Sequence, residues 1–300
     1  MERIYDLIVI GGGPAGYSAA LYGARAGLSV LVLEKLSAGG QMALTDSIDN
    51  YPGFDQGIDG FALGEQMQQG AERFGAVTEL AEVYAVDLKS QPKVLDTSEG
   101  VFLGRSVVIA TGAGPRALGL PGEQAQAGKR IHYCAACDGM RYRGKTVAVI
   151  GGGNSAVGDA LQLARIAKKV ILIHRRDSLR AEKIHQEALK SAQNVEIRWN
   201  AIPAELAEDG LILENALTGE KSRVVCDGIF VSIGRKPATE LVKDQLELDG
   251  SGYIVADEST RTSLPGVFAA GDVRTKALRQ VVTAVADGAM AVHFAQEYLS

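Results

Sequence analysis

Leu7-Ile8-Val9-Ile10-Gly11-Gly12-Gly13-Pro14-Ala15-Gly16 decides the fold, because it runs an apolar stretch of strand length into a glycine turn and an alanine-rich segment. A run that is apolar on both faces is expected of a parallel strand buried between layers. Gly11 permits the tight turn, Gly13 lets the backbone approach a pyrophosphate, and Gly16 lets helix and strand pack closely. The helix, expected to start at Pro14-Ala15 and to reach about Ala26, turns its unpaired N–H groups and positive dipole end toward a phosphate. A second strand, Ser29 to Leu33, runs into Glu34 and Lys35. Glu34 lies 34 − 11 = 23 residues after the first glycine, where a carboxylate accepts from ribose hydroxyls.

The pattern recurs. Thr146 to Ile150 leads into Gly151-Gly152-Gly153-Asn154-Ser155-Ala156, an offset of 151 − 11 = 140 residues, with Ala156 where the third glycine stood. Two copies of one phosphate-binding βαβ unit imply an α/β protein with two Rossmann-like dinucleotide-binding domains. The copies differ where it matters. At the position of Glu34 the second copy has His174 (174 − 151 = 23), followed by Arg175, Arg176 and then Arg180. A carboxylate there repels a 2′-phosphate, whereas guanidinium groups grip one through bidentate, charge-assisted bonds. The second copy therefore reads as a site for NADPH over NADH, and the first as a site for a dinucleotide without that phosphate.

Composition sets the outer bounds. Three hundred residues suit two domains, and a net charge of 31 − 36 = −5 gives no bulk attraction to nucleic acid. No apolar run approaches the ~18 residues that span a bilayer. The N-terminus enters its first strand without a signal peptide, and three cysteines make no secreted disulfide framework, so a cytoplasmic protein is expected.

The remaining chemistry lies in loops. Gly39-Gly40-Gln41-Met42 and Asn50-Tyr51-Pro52-Gly53 are polar turns beyond the second strand, and a side-chain amide there suits the edge of a flavin ring. A helix is expected over 60–74, a β-rich meander over 77–101, and a buried strand over 105–110 that runs into Thr111-Gly112-Ala113-Gly114-Pro115. Gly114-Pro115 is the first domain boundary. Near the other end, strands at 252–255 and 267–270 precede Gly271-Asp272-Val273, where Asp272 suits the ribityl chain or phosphate of a flavin dinucleotide. Arg279-Gln280-Val281 opens a last helix, whose N-terminus suits the pyrimidine edge of the flavin. The organisation implied is discontinuous: residues 1–114 and 243–300 form one domain, with 115–242 inserted.

Cys134-Ala135-Ala136-Cys137-Asp138-Gly139 lies just ahead of the second glycine turn. Two thiols at this spacing can close a reducible disulfide, and Asp138 can exchange the proton that each thiol–disulfide step needs. A zinc half-site or two inert buried cysteines are the plainer readings of the spacing alone. Lys129 and Arg130 read either as a basic lip for an acidic protein partner or as ordinary surface. His132, His185 and His293 read as structural or exposed histidines, and Trp199 and Cys226 as core.

Taken in order, G-G-G-P-A-G, G-G-Q, A-T-G-A, C-A-A-C-D-G, G-G-G-N-S-A, H-R-R-D and A-A-G-D-V resemble the low-molecular-weight, bacterial-type thioredoxin reductases over nearly the whole chain. That resemblance implies FAD and NADPH as cofactors, a homodimer, and thioredoxin as the protein disulfide substrate. It implies that Cys137 is the sulfur next to the flavin, Cys134 the one that attacks thioredoxin, and Asp138 the acid. It extends the flavin contacts to Thr111, Gly112 and Val273, and it implies rotation of one domain against the other about hinges near 113–116 and 241–245. The sequence departs from the family at Ala136, where threonine is common, and at Gly158-Asp159, where paired acids are usual. Two other readings remain. A peroxiredoxin-reducing flavoprotein shares these motifs but carries an extra N-terminal region, for which the residues before the first strand leave no room. A non-enzymatic redox or zinc module would need a second ligand pair.

Overall fold

A computed structural model describes residues 3–45 and 47–300. The chain begins with β1 (Ile4–Ile10), α1 (Pro14–Arg25), β2 (Val30–Glu34), α2 (Gly60–Glu72) and β3 (Val77–Leu80). It continues with β4 (Val83–Asp87), β5 (Lys93–Thr97), β6 (Gly100–Ile109) and the short β7 (Ala113–Pro115). Next come α3 (Glu123–Gln126), β8 (Ile131–His132), α4 (Ala135–Asp138), β9 (Thr146–Ile150), α5 (Asn154–Ala164), β10 (Lys169–Ile173), α6 (Lys183–Ser191) and β11 (Val195–Arg198). Strands β12 (Ala201–Ala207), β13 (Gly210–Asn215), β14 (Lys221–Val225), β15 (Gly228–Val231) and β16 (Arg235–Pro237) lead to β17 (Val267–Ala269) and α7 (Val281–Leu299).

Contacts divide the chain into two units, Met1–Gly114 with Lys236–Ser300, and Pro115–Arg235. In the first, β3, β2, β1, β6 and β17 lie side by side and parallel, while β5 and β4 pair antiparallel on the early half of β6. Alternation along β1 builds two cores. Leu7 and Val9 pack with residues of α1 and α7, while Ile8 and Ile10 pack with Val242, Leu246 and Ile254 from the returning chain. That second core corrects the domain limits expected from sequence. The return falls at Lys236 instead of residue 243, because Val242 and Leu246 are buried against the first sheet. Gln245 is fixed there as well, accepting from Leu88 N at 2.9 Å and donating to Val86 O at 2.6 Å. The stretch 241–245 is thus packed against the first sheet. The strand expected at 252–255 is reduced to isolated bridges at Ile254.

In the second unit β11, β10, β9, β15 and β8 form a parallel sheet, and β12–β14 form a separate antiparallel one. The two glycine turns solve one steric problem in slightly different ways. Gly11 and Gly151 adopt positive φ, 107° and 151°, that L side chains rarely reach. A methyl at Gly16 would strike the Gly11 carbonyl, so α1 sits against the turn as only glycine allows. At Ala156 a methyl is present, and it is Gly151 that has no room for one.

Near the start of α7, Asp287 is 6% exposed and accepts from Gly271 N (2.8 Å), Arg274 Nε (2.9 Å) and Nη2 (2.8 Å), and Lys276 Nζ (2.8 Å). Burial alone pushes its carboxyl up, but the bonds from Arg274 and Lys276 outweigh that and hold it below the usual carboxylate range. Asp287 therefore contributes stability that is complete above an unfolded pKa of about 4 and is lost as pH falls through the lower folded value. Asp287→Asn is expected to cost about 3–5 kcal/mol at neutral pH, since it leaves two buried cations short of a counter-charge. Urea unfolding midpoints of the two proteins should converge below pH ~4.

Candidate functional sites

In the first unit the N-terminus of α1 has Gly13 as its cap, no side-chain acceptor, and Pro14 at the first position, so its first-turn N–H groups are left for a ligand. A methyl at Gly13 would meet only the Gly39 carbonyl, at 4.0 Å, which leaves the close approach a diphosphate needs. Ala15 is buried beneath the turn, and Gly271 has no room for a methyl beside it. Glu34 ends β2 and accepts from Gly12 N at 2.7 Å and Leu36 N at 3.0 Å. Its carboxylate therefore stands beside the glycine turn. Lys35 turns away to pair with Glu82 at 3.6 Å on the surface.

The other first-unit residues expected from sequence gather unevenly. Gly39 N donates to the Gly12 carbonyl at 2.8 Å, which docks the short 3-10 turn carrying Gly40 and Gln41 against the first glycine turn. Asn50 donates to Gln280 at 3.0 Å, joining two loops that lie 230 residues apart. Gln280 caps α7, which begins at Val281, through a capping box with Thr283. Thr111 donates to the Ala238 carbonyl at 2.7 Å, and the Gly112 carbonyl accepts from Ala238 N. Asp272 sits in a one-turn 3-10 helix beside the fully buried Val273. Arg279 is occupied internally. Its guanidinium donates to the carbonyls of Asp272, Arg274 and Lys276 and lies 4.0 Å from the centre of the Tyr253 ring. It thus shapes the loop that presents Asp272.

In the second unit Gly153 caps α5 without a side-chain bond, and a methyl there would meet nothing within 4 Å. Asn154 and Glu182 exchange bonds of 3.1 and 2.8 Å, Ser155 is exposed and Ala156 is buried. Arg175, Arg176 and Arg180 are exposed, and Arg180 N donates to the Gly152 carbonyl at 2.7 Å, so the arginine loop closes onto the glycine turn. His174 is different in kind. Its ring is buried under Gly152, its Nε2 lies 3.0 Å from the Ser178 carbonyl, and burial followed by the nearby arginines lowers its pKa against that bond. It is a neutral prop for the loop.

Trp199, read from sequence as core, is 39% exposed and stands edge-on to His174 at 6.3 Å. It follows β11 at the carboxyl ends of the parallel strands, where open α/β sheets bind ligands. Asp159, at the departure from paired acids, bonds Ser232; burial raises its pKa against that bond and the charge of Arg235.

The cysteines lie on the same unit. Cys134 and Cys137 are disulfide-bonded with Cα atoms 5.3 Å apart, and both are partly exposed. Cys134 caps the single turn α4, its sulfur accepting from Cys137 N at 3.2 Å, while Ala135 is buried in the core. Asp138 ends the turn with His132 Nδ1 3.2 Å away and Arg141 at 4.0 Å. The sequence offered no sign of that histidine's direction. Only the pairing of β8 with β15, which sets His132 opposite Phe230, turns it toward the acid. Arg130 donates to the carbonyls of Ala207 and Glu208, so of the expected basic lip only Lys129 stays exposed. A closed disulfide offers no thiolate to a metal, and among the described residues no three metal-ligating side chains gather.

A family model, pyridine nucleotide-disulphide oxidoreductase, matches residues 5–288. A thioredoxin reductase from Peptoclostridium acidaminophilum is 42% identical, with 100% of this chain and 98% of that protein covered. One from Treponema pallidum is 43% identical with the same coverage. The crystal structure of thioredoxin reductase from Streptococcus pyogenes superposes with a TM-score of 0.92 at 40% identity, covering 100% of this chain and 99% of that one.

Trp199 is the only tryptophan of the chain, so its emission reports on the arginine loop. Adding 2′,5′-ADP is expected to change that emission in the intact protein, and 5′-ADP at the same concentration to change it far less. Equal responses to the two would remove the arginines from 2′-phosphate recognition.

Proposed function

This chain belongs to the pyridine nucleotide-disulphide oxidoreductase family, and we propose that it is a thioredoxin reductase that uses NADPH, FAD and the Cys134–Cys137 disulfide. The observation that carries the reading is the disulfide itself. It is partly exposed, followed directly by a carboxyl group, and lies on the same unit as an arginine-flanked dinucleotide turn.

The residues present fit both cofactors. The bare first turn of α1 suits the diphosphate of FAD, Glu34 its ribose, and Gln41, Asn50, Thr111, Gly112, Asp272 and the Gln280–Val281 start of α7 the remainder. The turn at Gly153–Ala156 suits the diphosphate of NADPH, with Arg175, Arg176 and Arg180 neutralising the 2′-phosphate. When bound, the flavin supplies what a disulfide cannot do for itself: it accepts a hydride and hands on two electrons.

The protein's own part is thiol and proton chemistry. In this reading Cys134 attacks an incoming disulfide and Cys137 reseals the pair. Asp138 returns a proton to each departing sulfur, which would otherwise leave as an unstabilised thiolate. Thioredoxin is the substrate that follows from the relatives' names, and a cytoplasmic homodimer belongs to the same proposal. No helix among the described residues is long and apolar enough to cross a membrane.

Cys134→Ser and Cys137→Ser should each abolish NADPH-driven thioredoxin reduction while leaving NADPH able to bleach the flavin. Arg175→Ala with Arg176→Ala should raise the KM for NADPH about 10–100-fold, the loss of one or two charge-assisted bonds, and leave that for NADH nearly unchanged. Stopped-flow absorbance and steady-state assays read both.

A further inference from the structure

His132 is buried, with 1% of its surface exposed, and every polar atom of its ring faces a group of its own unit. Its Nε2 lies 2.7 Å from Tyr142 Oη, and Oη donates to the Lys129 carbonyl at 3.2 Å. Nδ1 lies 3.2 Å from Asp138 Oδ2 without an aligned hydrogen bond. Phe230 stacks on the ring at 5.3 Å and fixes its plane. Arg141 at 4.0 Å is the cation nearest Asp138, and Arg130, Asp227 and Lys145 surround Tyr142.

Counting hydrogens decides what this chain of contacts does. The single hydrogen of Tyr142 Oη goes to Lys129, so the hydrogen between Nε2 and Oη belongs to the histidine. Nδ1 then faces the Asp138 carboxyl across 3.2 Å. With no proton in that gap, a lone pair would oppose a carboxylate beside a buried ring, an arrangement that costs free energy. A proton in that gap removes the opposition, whichever of the two groups carries it.

We infer that His132 is a positioning residue which keeps a proton in store on the Asp138 side of the disulfide, with Tyr142 fixing the tautomer. The inference rests on the proposed disulfide reductase activity. In that reaction the reduced Cys134 attacks one sulfur of the partner's disulfide; the partner's S–S bond breaks and the departing sulfur takes a proton. Cys137 then attacks Cys134, their bond reforms, and the second partner sulfur leaves with the other proton. Two electrons and two protons pass from the enzyme's dithiol to the partner. Asp138 handles the protons one at a time, and His132 holds its carboxyl in line and shares the one in transit.

The test compares His132→Asn, Tyr142→Phe and Asp138→Asn in the FAD-loaded enzyme. His132→Asn and Tyr142→Phe should each lower kcat for thioredoxin about tenfold with KM unchanged, less than the roughly hundredfold or more that loss of the acid itself costs, and added imidazole should restore part of the His132→Asn loss. In wild type, nitrogen-15 NMR of the oxidised enzyme should show His132 carrying hydrogen on Nε2, assigned by its absence in His132→Asn or by its shift in Tyr142→Phe. Wild-type kcat in Tyr142→Phe and His132→Asn alongside a slow Asp138→Asn would overturn the inference and spare the activity. An Nε2 without hydrogen would also overturn it, even where His132→Asn does not fold. A fully active Asp138→Asn would sink the role of the acid, and the inference with it.

Discussion

The bare first turn of a helix, brought against a strand end by a turn too tight for a side chain, is the constraint on which this molecule depends. It occurs at Gly13 and again at Gly153, each with a cap that supplies no side-chain acceptor. The free N–H groups at such an end, one fewer at α1 because Pro14 has none, must find partners. A diphosphate can satisfy them and the helix dipole together, so one arrangement suits the two cofactors proposed. What separates the two sites is the charge at the end of the second strand: a carboxylate at Glu34, and exposed guanidinium groups beyond His174. In the proposed reading, a few residues on a shared frame set the selectivity.

The disulfide depends on the second frame in a different way. α4 is only one turn long and has little stability of its own. It is held because Ala135 is buried in the core of the unit and because β8 pairs with β15 on the preceding side. A scaffold fixed at both ends leaves the two sulfurs partly exposed while their acid is backed by a buried aromatic cluster of His132, Tyr142 and Phe230. In the proposed reaction, exposure serves the exchange with a protein partner, and burial serves the proton.

Much of this was legible in the sequence, for a local reason. Strand, turn, helix and terminal charge follow one another within about thirty residues, and their chemistry is written in residue type and spacing. The same holds for Cys134, Cys137 and Asp138. What was not legible depended on distant contacts. The return of the chain was read at 243 because nothing local says that Val242 and Leu246 fill a core begun by Ile8 and Ile10. Nor does anything local say that the Arg279 guanidinium donates to three main-chain carbonyls. His174 lies at the right spacing but is turned inward, and Trp199 looked like core although it stands partly in solvent. A β-like run shows alternation, but not which residues lie beyond the last rung of the ladder.

The central claim is that NADPH electrons reach the Cys134–Cys137 pair. Counting thiols in the denatured protein before and after anaerobic NADPH tests it most directly. Cys226 is the only free cysteine, so the account predicts one thiol per chain before reduction and all three cysteines as thiols afterwards. A count that stays at one, in protein whose flavin has bleached, would contradict it.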